Sequence, residues 1–299
     1  MSSKLPVIWR FTAMTVPCEL ILFASEAKAL AQQIELNMRR LEAKYNFHDE
    51  ASWLNRIINQ RSAPTVVIDP ETADILHRVR QCSEITRGVF DITIGTVKRF
   101  NAQQIESLSR EAVYQQMAPF MGLTAWALSE NGAKASTLTL PYSATQLDLG
   151  GVIKECAVDQ AIALACQAGA TGILVNFGGD IRTFGSKLDG SNFIVAVLNP
   201  KDTQQPMFAL PLVNQALTTS AHYQRSYAFR DLQTSHILAS RGVHPQVLSS
   251  TVVADTALEA GIYSTALTIE PTLTLPDNVG FALVDEQLCL HQNSEFINL

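Results

Sequence analysis

Lysine and arginine never cluster in this chain. Its 299 residues include 22 of them against 28 aspartates and glutamates, a formal charge of −6, and only 17% of all residues are charged. No stretch is basic enough to track a phosphate backbone, which argues against nucleic acid as a partner. Cysteine is also scarce. Cys18, Cys82, Cys156, Cys166 and Cys289 are odd in number, and no two stand at a CxxC spacing. A disulfide framework is not expected, and the set suits a reducing compartment. There is no unbroken apolar run long enough to cross a bilayer, and the amino terminus has no apolar signal segment, so no membrane span and a cytoplasmic location are expected. Linkers, low-complexity tracts and short repeats are missing too, and residues 1–299 are expected to form one domain. The GxGxxG fingerprint is absent, so a Rossmann dinucleotide site has no support.

What is present is a hydrophobic fraction of 47%, arranged in alternating helical and strand-like segments. Ser25 reads as an N-cap and Glu26 as a first-turn acid for a helix whose apolar stripe is Ala27, Leu30, Ala31, Ile34, Met38 and Leu41. Asp69-Pro70-Glu71 opens a second helix with a cap, a proline at the first helical position and an acid near the positive end. Residues 89–97 alternate like a strand, and 103–118 read as a more polar helix. Leu147–Leu149 read as the end of a strand before Gly150-Gly151, and a helix then carries Val152, Ile153, Ala157, Val158, Ile162 and Ala165 until Gly169. Strand-like runs recur at Ile173–Val175, Phe193–Leu198, Ser250–Val253 and Val279–Val284, and residues 255–268 form a further helix. Trp9, Phe11 and Met14 read as core strand.

Two glycine pairs mark the candidate chemistry. Gly150-Gly151 opens a helix and Gly178-Gly179 closes a strand. One reading has the glycines simply making tight turns capped by Asp148 and Asp180. The other has backbone N–H groups brought close to a phosphate at a positive helix end, with Lys154 adding charge and the two aspartates meeting a ribose, a base edge or a backbone donor.

The order of motifs resembles the ApbE family. Asp148–Asp159, DLGGVIKECAVD, is similar to the family's DLGGIAKGYAVD segment, and Val175–Gly185, VNFGGDIRTFG, to VNxGGDIxxxG. Met14 with Pro17-Cys18-Glu19-Leu20 resembles AMGTPCEL, Gly88–Ile94 resembles GxFDxTV, Leu217–Tyr223 resembles IATSGDY, and His236-Ile237-Leu238 resembles the start of HIIDPxTG. Residues 254–268 resemble the closing helix with its ADALATA sequence.

The resemblance implies an α+β fold related to the tunnelling fold (T-fold), with a largely antiparallel sheet and packed helices. It implies FAD and a divalent ion, usually magnesium, and transfer of FMN from FAD to a threonine or serine of an acceptor flavoprotein with release of AMP. Such a reaction needs a cation to neutralise the pyrophosphate and a group to take the proton of the incoming hydroxyl. By the same resemblance, Asp148, Gly150, Gly151, Lys154, Asn176, Gly178, Gly179 and Asp180 line the FAD site. Thr265 helps hold the metal, and His236 serves the transfer unless it is only a polar residue at a strand end. His222 and His244 read as surface imidazoles.

Several positions depart from the pattern. Gly261 stands where the family has its metal aspartate, Glu155 where it has glycine, and Ala239–Val243 replace DPxTG. The MGT turn reads Met14-Thr15-Val16, and the glycine of ATSG is Ala221. A weakened magnesium site is therefore expected, and Gly261→Asp is expected to place a carboxylate beside Thr265, its i+4 neighbour. The alternative to an active, possibly impaired transferase is a non-catalytic FAD-binding or partner protein on the same fold.

Overall fold

The computed structural model describes residues 5–104, 110–129, 136–221, 226–229, 232–235 and 247–298. The chain begins with a hairpin of β1 (Val7–Ala13) and β2 (Val16–Phe23), followed by α1 (Ala27–Tyr45). A π-helical segment at Leu54–Asn59 leads through β3 (Thr65–Val67) to α2 (Pro70–Ile85). Next come α3 (Gly95–Gln104), α4 (Arg110–Met117), β4 (Ala127–Ser129) and β5 (Thr137–Thr139). The middle of the chain holds α5 (Ile153–Gln167), β6 (Gly172–Phe177), β7 (Asp180–Gly185), β8 (Phe193–Asn199), β9 (Asp202–Leu212) and β10 (Ala216–Ala221). After the short pair β11 (Ser226–Phe229) and β12 (Leu232–Ser235) come β13 (Val247–Ala254), α6 (Ala257–Ile269), β14 (Gly280–Asp285), β15 (Leu290–Gln292) and α7 (Ser294–Ile297).

Eight strands form the main sheet in the order β1-β2-β6-β7-β10-β13-β14-β15, and every neighbouring pair is antiparallel. Side chains along a strand alternate between faces, so both faces need a cover. One face carries α1, α5 and α6. The predicted stripe of α1 is buried there, as are Ala157, Val158, Ala161 and Ala165 of α5, and α6 is buried almost all round because α2 packs on its outer side. A helix apolar on every side has no other stable place. On the opposite face, Phe23, Leu174, Ile181, Leu217 and Val253 meet Phe193, Val195 and Leu212 of the β8–β9 hairpin and Phe296 of α7. The architecture is α+β, as expected.

The sequence reading differs from the structure in five places, the first being Met14, which reads as core strand but lies in the turn between β1 and β2. Residues 89–97 are not a strand: the Asp91 carboxylate accepts the Thr93 N–H at 2.8 Å and nucleates a 3-10 turn that runs into α3. A short polar side chain that bonds nearby backbone competes with sheet formation. Leu147–Leu149 do not join a sheet either, because the Asn59 side chain takes both the N–H and the C=O of Leu147, at 2.8 and 2.9 Å. The polar helix expected over 103–118 has its described part at Arg110–Met117, after α3 has already formed at Gly95–Gln104. Glu26 rather than Ser25 is the N-cap of α1, without a capping side-chain bond.

Candidate active site

Three chain reversals carry the candidate residues, and two of them pack together at one end of the sheet. The β1–β2 turn consists of Met14 and Thr15, both left-handed with φ of 48° and 64°, between the paired residues Ala13 and Val16. Two positive-φ residues give the twist that a tight hairpin needs. Thr15, a β-branched residue, holds this conformation where the family pattern has glycine. The Met14 N–H donates to Glu42 of α1 at 2.7 Å, which fixes the turn against the helix layer. The β6–β7 turn is Gly178-Gly179, with φ of 65° and 98°. Gly178 donates to the Pro17 carbonyl at 2.9 Å, and a Cβ there would stand 2.7 Å from that of Val16. Gly179 donates to Asn176 Oδ1 at 2.9 Å and has open space around it. Asn176, Gly178 and Gly179 thus build the turn itself.

The third reversal precedes α5. Asp148 is buried; its Oδ1 accepts the Gly150 N–H at 2.8 Å, and its Oδ2 lies 2.5 Å from Lys98 Nζ. Gly150 and Gly151 are exposed, and a Cβ on Gly150 would meet only Asp148 Oδ1, at 3.1 Å. Asp148 braces the glycine turn from below and leaves the backbone of Gly150 and Gly151 facing outward. No side chain caps α5, whose N-cap is Val152.

Next to the β6–β7 turn lies an acid pair. Lys154 Nζ stands 2.5 Å from Asp180 Oδ2, and the Asp180 side chain is 4% exposed. Glu155, 6% exposed, lies near enough to Asp180 to feel its charge. Its Oε2 has no hydrogen-bond partner among the described residues. Burial, and then the charge of Asp180, hold the Glu155 carboxyl well above the usual carboxylate range, and Lys154 offsets part of this. Gly261 of α6 faces the same side chain: a Cβ there would lie 2.6 Å from Glu155 Cγ. The expectation that an aspartate at 261 would sit freely beside Thr265 therefore fails, because Glu155 fills that space.

Hydroxyl groups complete the surroundings. Ser220 Oγ lies 2.9 Å from Ser264 Oγ and 3.1 Å from Thr265 Oγ1. The pairing of Leu217 with Ile181 sets Thr218 opposite Asp180, so Asp180, Thr218 and Ser220 face the same side. Ser250, opposite Ser220 in β13, faces it too. Thr218 Oγ1 and Ser250 Oγ are buried without a hydrogen-bond partner among the described residues.

A second polar clamp fixes the helices over this place. Arg182 of β7 pairs with Asp159 of α5 at 2.6 Å, and Asp159 also accepts the first N–H groups of α6, from Ala257 at 2.8 Å and Leu258 at 3.1 Å. The negative charge at the positive end of α6 is favourable in itself. Sequence reasoning gave no role to Glu155, Asp159, Arg182, Asn59 or Thr218. Asp159 and Arg182 lie inside the two most specific motifs, but only the fold pairs them. Of the residues assigned from sequence, the structure links Lys154 directly to Asp180, and Glu155 bridges from there to the α6 helix that carries Thr265. It places Asn176, Gly178 and Gly179 in the adjoining turn and Asp148, Gly150 and Gly151 just ahead of α5. His236 lies outside the described residues.

The model of the ApbE family matches residues 14–278. An FAD:protein FMN transferase of Haemophilus influenzae is 24% identical over 246 residues, which cover 79% of this chain and 71% of that protein. One from Chlamydia muridarum is 25% identical over 279 residues, covering 89% and 85%. Among solved structures, an ApbE protein of Thermotoga maritima superposes with a TM-score of 0.86 at 22% identity, over 98% of both chains. A flavin transferase ApbE from Vibrio cholerae gives 0.83 at 18% identity over 98% and 99%. With the family model spanning both glycine turns, the acid pair and α6, the chain belongs to the ApbE family.

Proposed function

We propose that the protein moves FMN from FAD to a threonine or serine hydroxyl of an acceptor protein and releases AMP. The hydroxyl oxygen forms a bond to the phosphorus on the FMN side of the pyrophosphate, the bond from that phosphorus to the oxygen retained by AMP breaks, and the hydroxyl proton passes to a base. The observation that carries this reading is the outward-facing Gly150-Gly151 backbone ahead of α5, whose first turn also carries Lys154 and Glu155 to a buried cluster of acid and hydroxyl oxygens. Relatives matched over 71% and 85% of their own length bear the name of that activity.

In this reading Gly150 and Gly151 allow the phosphates to approach the positive end of α5. Asp148 holds that turn, Asn176 with Gly178 and Gly179 shapes the neighbouring wall, and Lys154 and Asp180 form its charged floor. His236 is the candidate proton acceptor. The buried, partnerless oxygens of Glu155, Thr218 and Ser250 fit a hard cation, and with Asp180 and Thr265 they are the residues that would hold one. Magnesium, when bound, supplies charge neutralisation at the pyrophosphate. The acceptor partner is a flavoprotein with an accessible threonine or serine.

The test is incubation with FAD, magnesium and a threonine-bearing acceptor peptide, with AMP release and peptide mass measured together. Stoichiometric AMP and a flavinylated peptide are expected, and Gly150→Val should weaken quenching of FAD fluorescence. FAD that is bound but never consumed would overturn transfer and favour the non-catalytic alternative, which the replacement of DPxTG by Ala239–Val243 already recommends. Absence of any flavin binding would overturn both.

A further inference from the structure

The buried charges around Glu155 do not balance. Asp180 and Glu155 bring two carboxylates into the space between the sheet and α5–α6, and among the described residues Lys154 is the one cation paired with them, on Asp180. Glu155 Oε2 meets no donor among the described residues. An isolated buried carboxylate is costly, so the group must gain either a proton or a cation. A proton shared with Asp180 would satisfy Glu155 alone. It would leave Thr218 Oγ1 and Ser250 Oγ, on the same side of the sheet, buried and unpartnered. A hard cation accepts carboxylate and hydroxyl oxygens together, and it requires no third acidic side chain when neutral oxygens complete its shell. Among the described residues no group of three or more His, Cys, Asp or Glu side chains is placed to hold a metal, so hydroxyls must contribute here.

The helix opposite is cut to fit. Gly261 is the residue of α6 that faces Glu155, and even a methyl group there would drive its Cβ to 2.6 Å from Glu155 Cγ. Positions 155 and 261 are also two of the departures from the family pattern, glycine having become glutamate at one and aspartate having become glycine at the other. Bulk and charge have changed places across a single gap between two helices.

We infer that Glu155, extending from α5 over Gly261, is the charged ligand of a divalent-cation site completed by Asp180 and the hydroxyls of Thr218, Ser250 and Thr265. The site is thereby rebuilt from the opposite helix and is not deprived of its carboxylate. The role of the cation rests on the transfer reading above; its binding does not.

The experiment is titration of the full chain with Mn2+, followed by the electron paramagnetic resonance signal of the free ion and by thermal shift, without nucleotide and again with ADP. The parent is expected to bind one ion in at least one of these conditions. Glu155→Gln, nearly isosteric, should weaken it by at least about tenfold. Gly261→Asp alone should lower the melting temperature and bind no more tightly. The exchange variant Glu155→Gly/Gly261→Asp should regain affinity within a few-fold of the parent. Undiminished binding by Glu155→Gln would overturn the inference, as would a parent that binds no Mn2+ up to millimolar concentration in either condition. A Glu155→Gln variant that only gains thermal stability would identify a shared proton instead. FAD quenching in magnesium buffer separates the two readings: no quenching with the Mn2+ pattern intact sinks the transfer reading and leaves the cation site standing.

Discussion

At the scale of single residues, two adjacent glycines differ in what they contribute. Gly178 and Gly179 share a left-handed backbone, which costs an L-residue about 1–2 kcal/mol. Only Gly178 also packs against Val16, where a Cβ would stand 2.7 Å from its neighbour; nothing lies within 4 Å of the corresponding atom at Gly179. Gly178→Ala is therefore expected to destabilise the fold by about 3 kcal/mol, the backbone cost plus overpacking, and Gly179→Ala by about 1 kcal/mol. Urea unfolding of the two variants measures the difference, and equal losses would show that the contact with Val16 yields without cost. A repeated glycine in the sequence announces a turn but does not say which member is also wedged against another strand.

At the scale of elements, polar clamps set how the helices lie on the sheet. Asp159 joins α5 to β7 through Arg182 and to the first turn of α6 through Ala257 and Leu258. Removing it would leave the Arg182 guanidinium without its carboxylate and two helix donors without an acceptor. Asp159→Ala is expected to cost about 3–5 kcal/mol, the range for breaking one side of a buried ion pair. A loss below 1 kcal/mol in denaturant melts would mean that water replaces the carboxylate.

The α1–α2 contact is governed by pH. Hydrogen bonds from Arg40, together with Lys44, outweigh burial and hold the Glu71 carboxyl down at about 2, below its ordinary 4.5. A carboxyl depressed in the folded state stabilises above its unfolded value and loses that contribution as pH falls. Stability should therefore decline between about pH 4.5 and 2. Glu71→Gln should flatten that part of the profile, and an unchanged acid limb would place the acid sensitivity elsewhere.

At the scale of the whole molecule, one large core includes side chains from β2, α1, α2, α5, β6 and α6 and reaches Leu283 of β14. We expect the chain to unfold as a single domain, in one calorimetric transition whose van't Hoff and calorimetric enthalpies agree. Two separated transitions would divide it into two folding units. Among the described residues no helix is long and apolar enough to cross a membrane.

The sequence by itself determined the elements whose signal is local. The α1 stripe, the Asp69-Pro70 start of α2, the long apolar pattern of α5 and the strand runs of β6, β8, β13 and β14 all stand near where periodicity and capping place them. It also located both glycine turns, because a tight reversal, left-handed at Gly178 and Gly179, is a property of a few consecutive residues. Where alternation was produced by burial in irregular chain, as at residues 89–97, or where a distant amide replaced a strand partner, as Asn59 does for Leu147, local pattern misled. The site divided in the same way. The candidate ligand residues lie in motifs that can be read in order along the chain, but the meaning of Glu155 and Gly261 could not be read there. Separately, each is a lost or intruding side chain more than a hundred residues from the other. Only the packing of α5 against α6 brings them face to face, and the free energy of a buried charge depends on what stands within a few ångströms in space, not on what stands nearby in sequence.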